Sequence, residues 1–464
     1  MRKMSVYRDT VKKVGRGVFV TALAFVALSC ATRSDSYKDI DSAVDNNSYN
    51  AAVVFIEKGQ EQKKPIYPEK NSVMLFLDKG ILEYYAGNYQ QSNNDLQEAE
   101  RLIEEAFTKS VSADLMSYIA NDNTKEYPGE DFEDIYINVF NALNYYKQDN
   151  LEAALVEIRK LSLQNGKLDM LARKYENAGR SFSDKAMEQF GKLGFRLTDS
   201  LPKPGSLTFT NSALARYLAA LFFLGDGNRD GARIEFDQIA SAFAASPKVY
   251  TNPVPKTVAE DRAVPAGQAR LNVIAFSGLS PVKEEGKFTQ HWAFMNNSTQ
   301  RNPVFKLPII VDRPSKIDRI EVVVGENKFD LELLEDMGSV IKETYSARFA
   351  ELFFKTYLRV LFKYIASDTA AEVSKRVGGT AGAIGNLVAG VGGKIASDVS
   401  EAADIRMSRY LPSKAYIGGI NIAPGTYNVT INFYSGSSVI AKVEHTDVSV
   451  KAGALNLVDG VSLK

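Results

Sequence analysis

A residue spacing that recurs three times in the N-terminal half of the chain constrains the fold most strongly. Each copy has a large residue three positions before a turn, a small residue five positions after the start of the turn, and a large residue nine positions after it. The turns are Gly87-Asn88-Tyr89, Asp149-Asn150-Leu151 and Gly227-Asn228-Arg229. The fixed positions hold Tyr84, Ser92 and Leu96, then Tyr146, Ala154 and Ile158, then Leu224, Ala232 and Phe236. Small residues let two antiparallel helices approach closely, and the large ones fill the groove between stacked pairs. The spacing therefore predicts stacked helical hairpins over residues 37–246.

This turn and this small/large spacing resemble the tetratricopeptide repeat (TPR). The first two copies fit the resemblance well, whereas Gly225, Gly227 and Gly231 crowd the turn of the third. The turns begin 62 and 78 residues apart, which exceeds a simple tandem period, so extra helices and loops are expected between the hairpins.

Residues 1–29 have the features of a lipoprotein signal peptide, and residues 30–36 those of a short tether. An apolar run, Val18 to Leu28, is too short to span a bilayer comfortably. It ends in Ala27-Leu28-Ser29-Cys30, which resembles the bacterial lipobox except that Ala27 stands where Leu is commonest. Because Cys30 is the only Cys and closes the apolar run, we expect it to be lipidated. A plain signal peptide with an incidental Cys, or an uncleaved anchor, is the alternative. The preceding basic residues are Arg2, Lys3, Arg8, Lys12, Lys13 and Arg16.

Composition and motifs disfavour several functional classes. A single Cys excludes disulfide scaffolds, Fe–S clusters and thiolate zinc sites, and two distant His residues make a His-based metal site or general base unexpected. Lys+Arg and Asp+Glu number 56 each, so bulk charge gives no sign of nucleic-acid binding. Glu130 and Asp131 follow the turn Pro128-Gly129, where capping of a helix is favoured over general acid/base catalysis or a cation site. We therefore expect no enzymatic activity, no cofactor, no metal and no nucleic-acid partner.

The C-terminal part predicts a different architecture, so the fold class is α+β. Residues 247–268 contain four prolines and form a linker, and residues 269–464 form a mixed α/β region ending in a β meander. Strands are predicted at 269–276 and 304–311, with 278–286 as a connection, and at 317–324 and 329–333, which form a hairpin. The meander is predicted from strands at 427–433, 439–443 and 448–450. Helices are predicted at about 338–377 and 394–408, on either side of a Gly-rich segment at 378–393 whose role is open between close packing, membrane insertion and a mobile loop.

The first of these helices has an aromatic face and a basic stripe. The stripe consists of Arg348, Lys355, Arg359 and Lys363. The first interpretation of this stripe is a helix that binds a membrane surface or an acidic partner. The second is a core helix whose basic side chains are solvated or paired with acidic neighbours. The second interpretation is favoured because the flanking strands need a helix to cover them. His291-Trp292 is similarly open between lining a ligand pocket and an ordinary surface or core pair.

Short motifs across most of the mature chain resemble an uncharacterised family of bacterial TPR-containing lipoproteins. The resemblance implies a lipid-anchored envelope protein with helical repeats and a mixed C-terminal region, and it supplies no catalytic residues. The motifs are Gly129-Glu130-Asp131-Phe132-Glu133, Ala142-Leu143-Asn144-Tyr145, residues 154–159, residues 277–284, Asp404-Ile405-Arg406, Leu411-Pro412 and Pro424-Gly425.

These features predict a lipoprotein that faces the periplasm. The outer membrane is the favoured location, and the inner membrane and a surface-exposed leaflet are the alternatives. We expect a scaffold in envelope assembly or maintenance whose helical hairpins offer a concave surface to a protein or peptide, with Tyr85 and Tyr145 as candidate partner-binding aromatics there. The alternative is a carrier of a small molecule or lipid that binds between the helical hairpins.

The lipid anchor can be tested at Cys30. The variant Cys30→Ala should leave the protein unacylated and remove it from the detergent phase, because no other Cys can accept the lipid. Radiolabelled palmitate incorporation and detergent partitioning measure this. Unchanged labelling and partitioning would contradict the anchor.

Overall fold

The computed structural model describes residues 35–110, 125–162, 166–171, 173, 209, 211–289, 304–367 and 402–464. Cys30, His291-Trp292 and the Gly-rich segment 378–393 lie outside these ranges. The described N-terminal part is helical, and the C-terminal part is built mainly of antiparallel strands, which confirms an α+β architecture.

The helices of the N-terminal part form four hairpins among the described residues. The first helix of each hairpin packs against the second, and each hairpin packs on the next along the chain. The pairs are α1 (Lys38–Asp45) with α2 (Tyr49–Gln60), α3 (Ser72–Ala86) with α4 (Tyr89–Ser110), α5 (Asp131–Lys147) with α6 (Leu151–Ser162), and α7 (Ala213–Gly225) with α8 (Arg229–Ala245). A short helix, α9 (Lys256–Glu260), follows within the predicted linker.

All four hairpins turn in the same way. The first turn residue has a positive φ, at 83° for Gly87, 56° for Asp149 and 76° for Gly227. Its N–H donates to the carbonyl three residues back, and the next N–H donates to the carbonyl five residues back. This pair of bonds satisfies the carbonyls that the end of a helix leaves unpaired.

The turn of the first hairpin, at Asn47 (φ 55°), was not predicted from the sequence. It makes the same backbone bonds, and Val44, Ala52 and Ile56 occupy the fixed positions and are fully buried. Asn47-Ser48 lacks the Gly-Asn or Asp-Asn signature of the other turns, which concealed the repeat.

The small and large residues at the fixed positions pack as predicted. Ser92, Ala154 and Ala232 are buried, as are the large residues that follow them in each second helix. In the second hairpin the Ser92 hydroxyl donates to the Gly80 carbonyl at 2.7 Å. A Cβ at Gly80 would lie 2.8 Å from Leu96 Cγ, so the two helices are in close contact here.

The C-terminal part contains two four-stranded sheets and a two-stranded ribbon among the described residues. The strands are β1 (Ala269–Leu279), β2 (Val282–Thr289), β3 (Val304–Val311), β4 (Arg319–Val324), β5 (Asn327–Asp330), β6 (Glu332–Asp336), β7 (Pro412–Ile422), β8 (Gly425–Ser435), β9 (Ser438–Val450) and β10 (Asn456–Ser462). The first sheet has the order β10-β1-β7-β6, in which β1 and β10 are parallel, and the second has the order β5-β4-β8-β9. The ribbon pairs β2 with β3, and helix α10 (Met337–Ser367) packs on β3.

The first sheet is the middle of three layers. Residues of β1 alternate between its two faces. Leu271 and Val273 pack in one core with buried residues of the second sheet, whereas Ile274 and Phe276 belong to the core of the helices. The ring of Phe276 lies 5.2 Å from that of Phe140 on α5. The helical and β regions therefore share a continuous core.

Three local predictions are wrong. Residues 278–286, predicted as a connection, contain the start of β2. The predicted helix at 394–408 is absent from its described part, 402–408, where the backbone is irregular. The predicted meander does not include β10, which follows β9 in the chain but belongs to the first sheet, where it pairs in parallel with β1.

The hairpin packing can be tested at Ala154. The variant Ala154→Phe places a large ring between α5 and α6, and overpacking should lower the free energy of unfolding by about 1–3 kcal/mol or more. The neighbouring Ala153 is only half-buried, so Ala153→Phe is the matched control with a much smaller effect. Equal urea midpoints for the two variants would contradict the packing.

Candidate functional site

The first helices of the second, third and fourth hairpins face the chain's own β region. Tyr84 on α3 donates its hydroxyl to Asp459 on β10, which also pairs with Lys147. Tyr146 on α5 donates to the carbonyl of Leu455 at 3.2 Å, and the Tyr217 hydroxyl on α7 accepts from the Asn272 side chain of β1 at 3.3 Å. This surface, the helix–sheet junction, is therefore occupied and is not open to a partner along these contacts.

A buried carboxylate, Glu335, joins the third and fourth hairpins to β6. It accepts hydrogen bonds from the hydroxyls of Tyr136 at 2.6 Å and Tyr250 at 2.8 Å. The Ser212 hydroxyl and the Leu214 N–H also donate to it, at 2.9 and 3.2 Å. Burial raises the pKa of Glu335, and the hydroxyl and N–H donors oppose that rise.

A second carboxylate, Asp78, binds the irregular segment 402–410 to the second hairpin. The Ser408 hydroxyl and the Arg409 N–H donate to one of its oxygens, each at 2.7 Å, and Tyr67 donates to the other at 2.8 Å. Burial raises the pKa of Asp78, against these donors.

A third carboxylate, Glu133, lies in the first turn of α5. It accepts from the Ser408 N–H at 2.6 Å and from the Tyr127 hydroxyl and the Glu130 N–H, both at 2.7 Å. The predicted capping role of this acidic cluster is confirmed, because Glu130 is the N-cap residue of α5. The bonds from the Ser408 and Arg409 amides to Glu133 and Asp78 also explain why 402–408 is not a helix.

Sequence reasoning missed these three carboxylates as a group. A signal existed for Asp78, which directly follows the apolar run from Val73 to Leu77 in a predicted helix. Glu133 was visible as the acidic residue three positions after a cap. Nothing local distinguishes Glu335 from the exposed acidic residues near it.

The two candidate partner-binding tyrosines lie in different surroundings. Tyr85 is half-buried, its ring lies edge-on to Phe140 at 6.2 Å, and its hydroxyl donates to the Tyr410 carbonyl at 3.1 Å. It therefore contacts the C-terminal region instead of an open concave surface. Tyr145 is half-buried and accepts a hydrogen bond from Gln97 at 2.6 Å. Partner binding by either tyrosine stays a prediction.

The basic stripe of α10 is partly engaged within the molecule. Arg348 pairs with Glu130, which also pairs with Lys283 of β2. Arg359 donates to Thr356 at 2.9 Å, Lys355 is half-buried, and the side chain of Lys363 lies outside the described part.

The aromatic face of α10 packs on the ribbon. Phe353 stacks on the buried Phe305 of β3 at 6.0 Å. These contacts agree with the core-helix interpretation for the described part of the helix, and a membrane or acidic-partner role of the stripe stays a prediction.

The outward side of the second helices exposes apolar side chains at equivalent positions. Seven residues after the start of the turn, three hairpins expose an apolar side chain: Val54 is 43% exposed, Val156 48% and Ile234 49%. The second hairpin has Asn94 there. The described residues contain no group of three or more His, Cys, Asp or Glu side chains arranged to hold a metal.

Comparison with known proteins identifies no relative: no family model, no curated protein and no solved structure matches this chain. Within the described ranges, no helix has the length and apolarity needed to cross a membrane.

The helix–sheet junction should make stability depend on pH through Glu133. Burial, reinforced by the nearby Glu130 carboxylate, raises the pKa of Glu133 from 4.5 to about 7. Between these values the folded protein keeps a proton that the unfolded chain has lost, so the free energy of unfolding should fall as pH rises from about 4.5 to 7. The free energy of unfolding of the variant Glu133→Gln, measured by urea titration, should fall less steeply over this pH window.

Glu61→Gln, which alters an exposed carboxylate, is the control and should follow the wild-type slope. Parallel pH profiles for the wild type and Glu133→Gln would show that Glu133 keeps an ordinary pKa in the folded protein.

Proposed function

We propose that this protein is a lipid-anchored envelope lipoprotein whose TPR-like hairpins act as a binding scaffold for a protein or peptide in envelope assembly or maintenance. The anchor is Cys30, and the body faces the periplasm, with the outer membrane as the favoured location. The lipobox-like sequence that ends at Cys30 and the array of four stacked hairpins support this proposal.

One observation carries the binding role. The outward sides of α6 and α8 expose Val156 and Ile234 at equivalent positions of neighbouring hairpins, each about half exposed. Stacked hairpins align equivalent positions along the array, so these side chains belong to one extended surface. Because the first helices are covered by the β region, the partner surface is assigned to the second helices, and this differs from the concave surface expected from sequence.

The alternative, a carrier for an apolar ligand between the hairpins, has less support. The positions between the described helices are filled by Leu96, Ile158 and Phe236, which are fully or almost fully buried. No contact among the described residues favours a ligand there.

Photo-crosslinking and affinity purification from membranes test the scaffold. The wild type should recover a specific envelope protein, and the double variant Val156→Glu/Ile234→Glu should lose it by about tenfold or more, since charges in an apolar contact remove its central binding energy. The melting temperature should stay unchanged because both side chains are exposed.

Val439→Glu is the matched control, because Val439 is a similarly exposed (47%) apolar residue on β9, away from the hairpins. Equal recovery by the double variant and by this control would contradict the assigned surface.

A further inference from the structure

The first hairpin and the loop after it combine exposed apolar side chains with three exposed lysines that form no ion pair among the described residues. On α2, Val54 and Phe55 are 43% and 37% exposed. Lys58 is exposed and lies four residues after Val54 and three after Phe55, on the same face of the helix. The loop that follows α2 adds the exposed Lys63 and Lys64. We call these five residues the first-hairpin patch.

The loop of this patch is held in a fixed position. The Gln60 side chain donates to the Tyr67 carbonyl and accepts from the Tyr67 N–H, both at 2.9 Å, so the loop is closed at its base. Tyr67 is buried and its ring lies edge-on to that of Tyr37 at 5.7 Å. Tyr67, at the base of this loop, therefore lies beside Tyr37, which is two residues from the first described residue, Asp35.

The position of Tyr37 links the patch to the anchor. Tyr37 is buried, and the Arg409 guanidinium lies 4.4 Å from its ring centre, so this end of the fold is fixed. The chain from Cys30 to Asp35 has six residues, and its five Cα–Cα steps can span at most about 18 Å. An acylated Cys30 in a bilayer would therefore keep the first hairpin next to the membrane surface.

The local charge is suited to an anionic surface, although residues 30–464 together carry a formal net charge of −5, from 50 basic and 55 acidic side chains. The patch has three lysines, and the exposed Glu61 is the acidic residue in the same loop. Glu57, on the neighbouring side of α2, is 3.2 Å from Lys79 and is thus partly neutralised. By contrast, the lysine-free α8 has Ile234 beside Arg233, which pairs with Asp237 at 3.5 Å.

We propose that the first-hairpin patch docks on the anionic bilayer surface that holds the lipid anchor. Val54 and Phe55 enter the boundary between headgroups and acyl chains, and Lys58, Lys63 and Lys64 contact anionic headgroups. This second contact restricts rotation about the tether and orients the hairpin array relative to the membrane. The inference rests on the proposed lipidation of Cys30.

The single Cys of the chain provides a direct test. Acylation consumes the Cys30 thiol, so an introduced Cys is the only free thiol in the mature protein. Acylated Val54→Cys and Ile234→Cys proteins, both substituted seven residues after a turn, are labelled with bimane and placed in vesicles of phosphatidylethanolamine and phosphatidylglycerol. The label at 54 should shift to the blue, lose quenching by iodide and gain quenching by nitroxide lipids. The label at 234 should remain accessible to iodide.

A charge-reversal variant tests the role of the lysines. Adding Lys58→Glu, Lys63→Glu and Lys64→Glu to Val54→Cys should abolish the blue shift, as should replacing the vesicles by pure phosphatidylcholine at moderate salt. These side chains are exposed, so the variant should fold, which circular dichroism and the melting temperature check.

Two failures are distinguishable by vesicle flotation. Protein that floats with vesicles, but whose labels at 54 and 234 are equally accessible to iodide, overturns the docking and leaves the lipid anchor intact. Protein that does not float, and whose Cys30 thiol reacts with bimane, contradicts the anchor and this inference with it.

Discussion

The burial of strand β1 on both faces is the constraint on which the rest of the structure depends. Leu271 and Val273 pack towards the second sheet, and Ile274 and Phe276 pack among the helices. Because one strand supplies both cores, the hairpins and the sheets cannot be separate modules that a linker joins. The first helices of the second to fourth hairpins are then covered, and the outward sides of the second helices stay exposed, as at Val156 and Ile234.

The polar contacts at the helix–sheet junction give this packing a specific geometry. Asp78, Glu133 and Glu335 are buried, and each accepts at least three hydrogen bonds from hydroxyl or backbone donors. A buried carboxylate is costly unless such donors satisfy it, so a shifted arrangement of helices and sheet would be strongly disfavoured. The same burial makes the protons of these groups part of the folding equilibrium.

The sequence was sufficient for features that depend on local spacing. The turns at Gly87, Asp149 and Gly227, the buried Ala154 and Ala232, and most strands follow from periodicity and turn residues. Features that depend on distant partners were not visible. Strand β10 is defined by its parallel pairing with β1, nearly 190 residues earlier in the chain. In the irregular segment 402–410, the Ser408 and Arg409 amides donate to carboxylates on α5 and α3. Tyr85 was predicted to be exposed because the residue that accepts its hydrogen bond, Tyr410, lies 325 residues further along the chain.

Native-state hydrogen exchange in increasing denaturant tests most directly whether hairpins and sheets form one cooperative unit. Amides of α5 and of β1 should open with the same free energy and the same denaturant dependence, because Phe140 and Phe276 belong to one core. Amides of α5 that stay protected after those of β1 have opened would show that the hairpins are stable without the sheet. This result would contradict the core that the hairpins and the first sheet share.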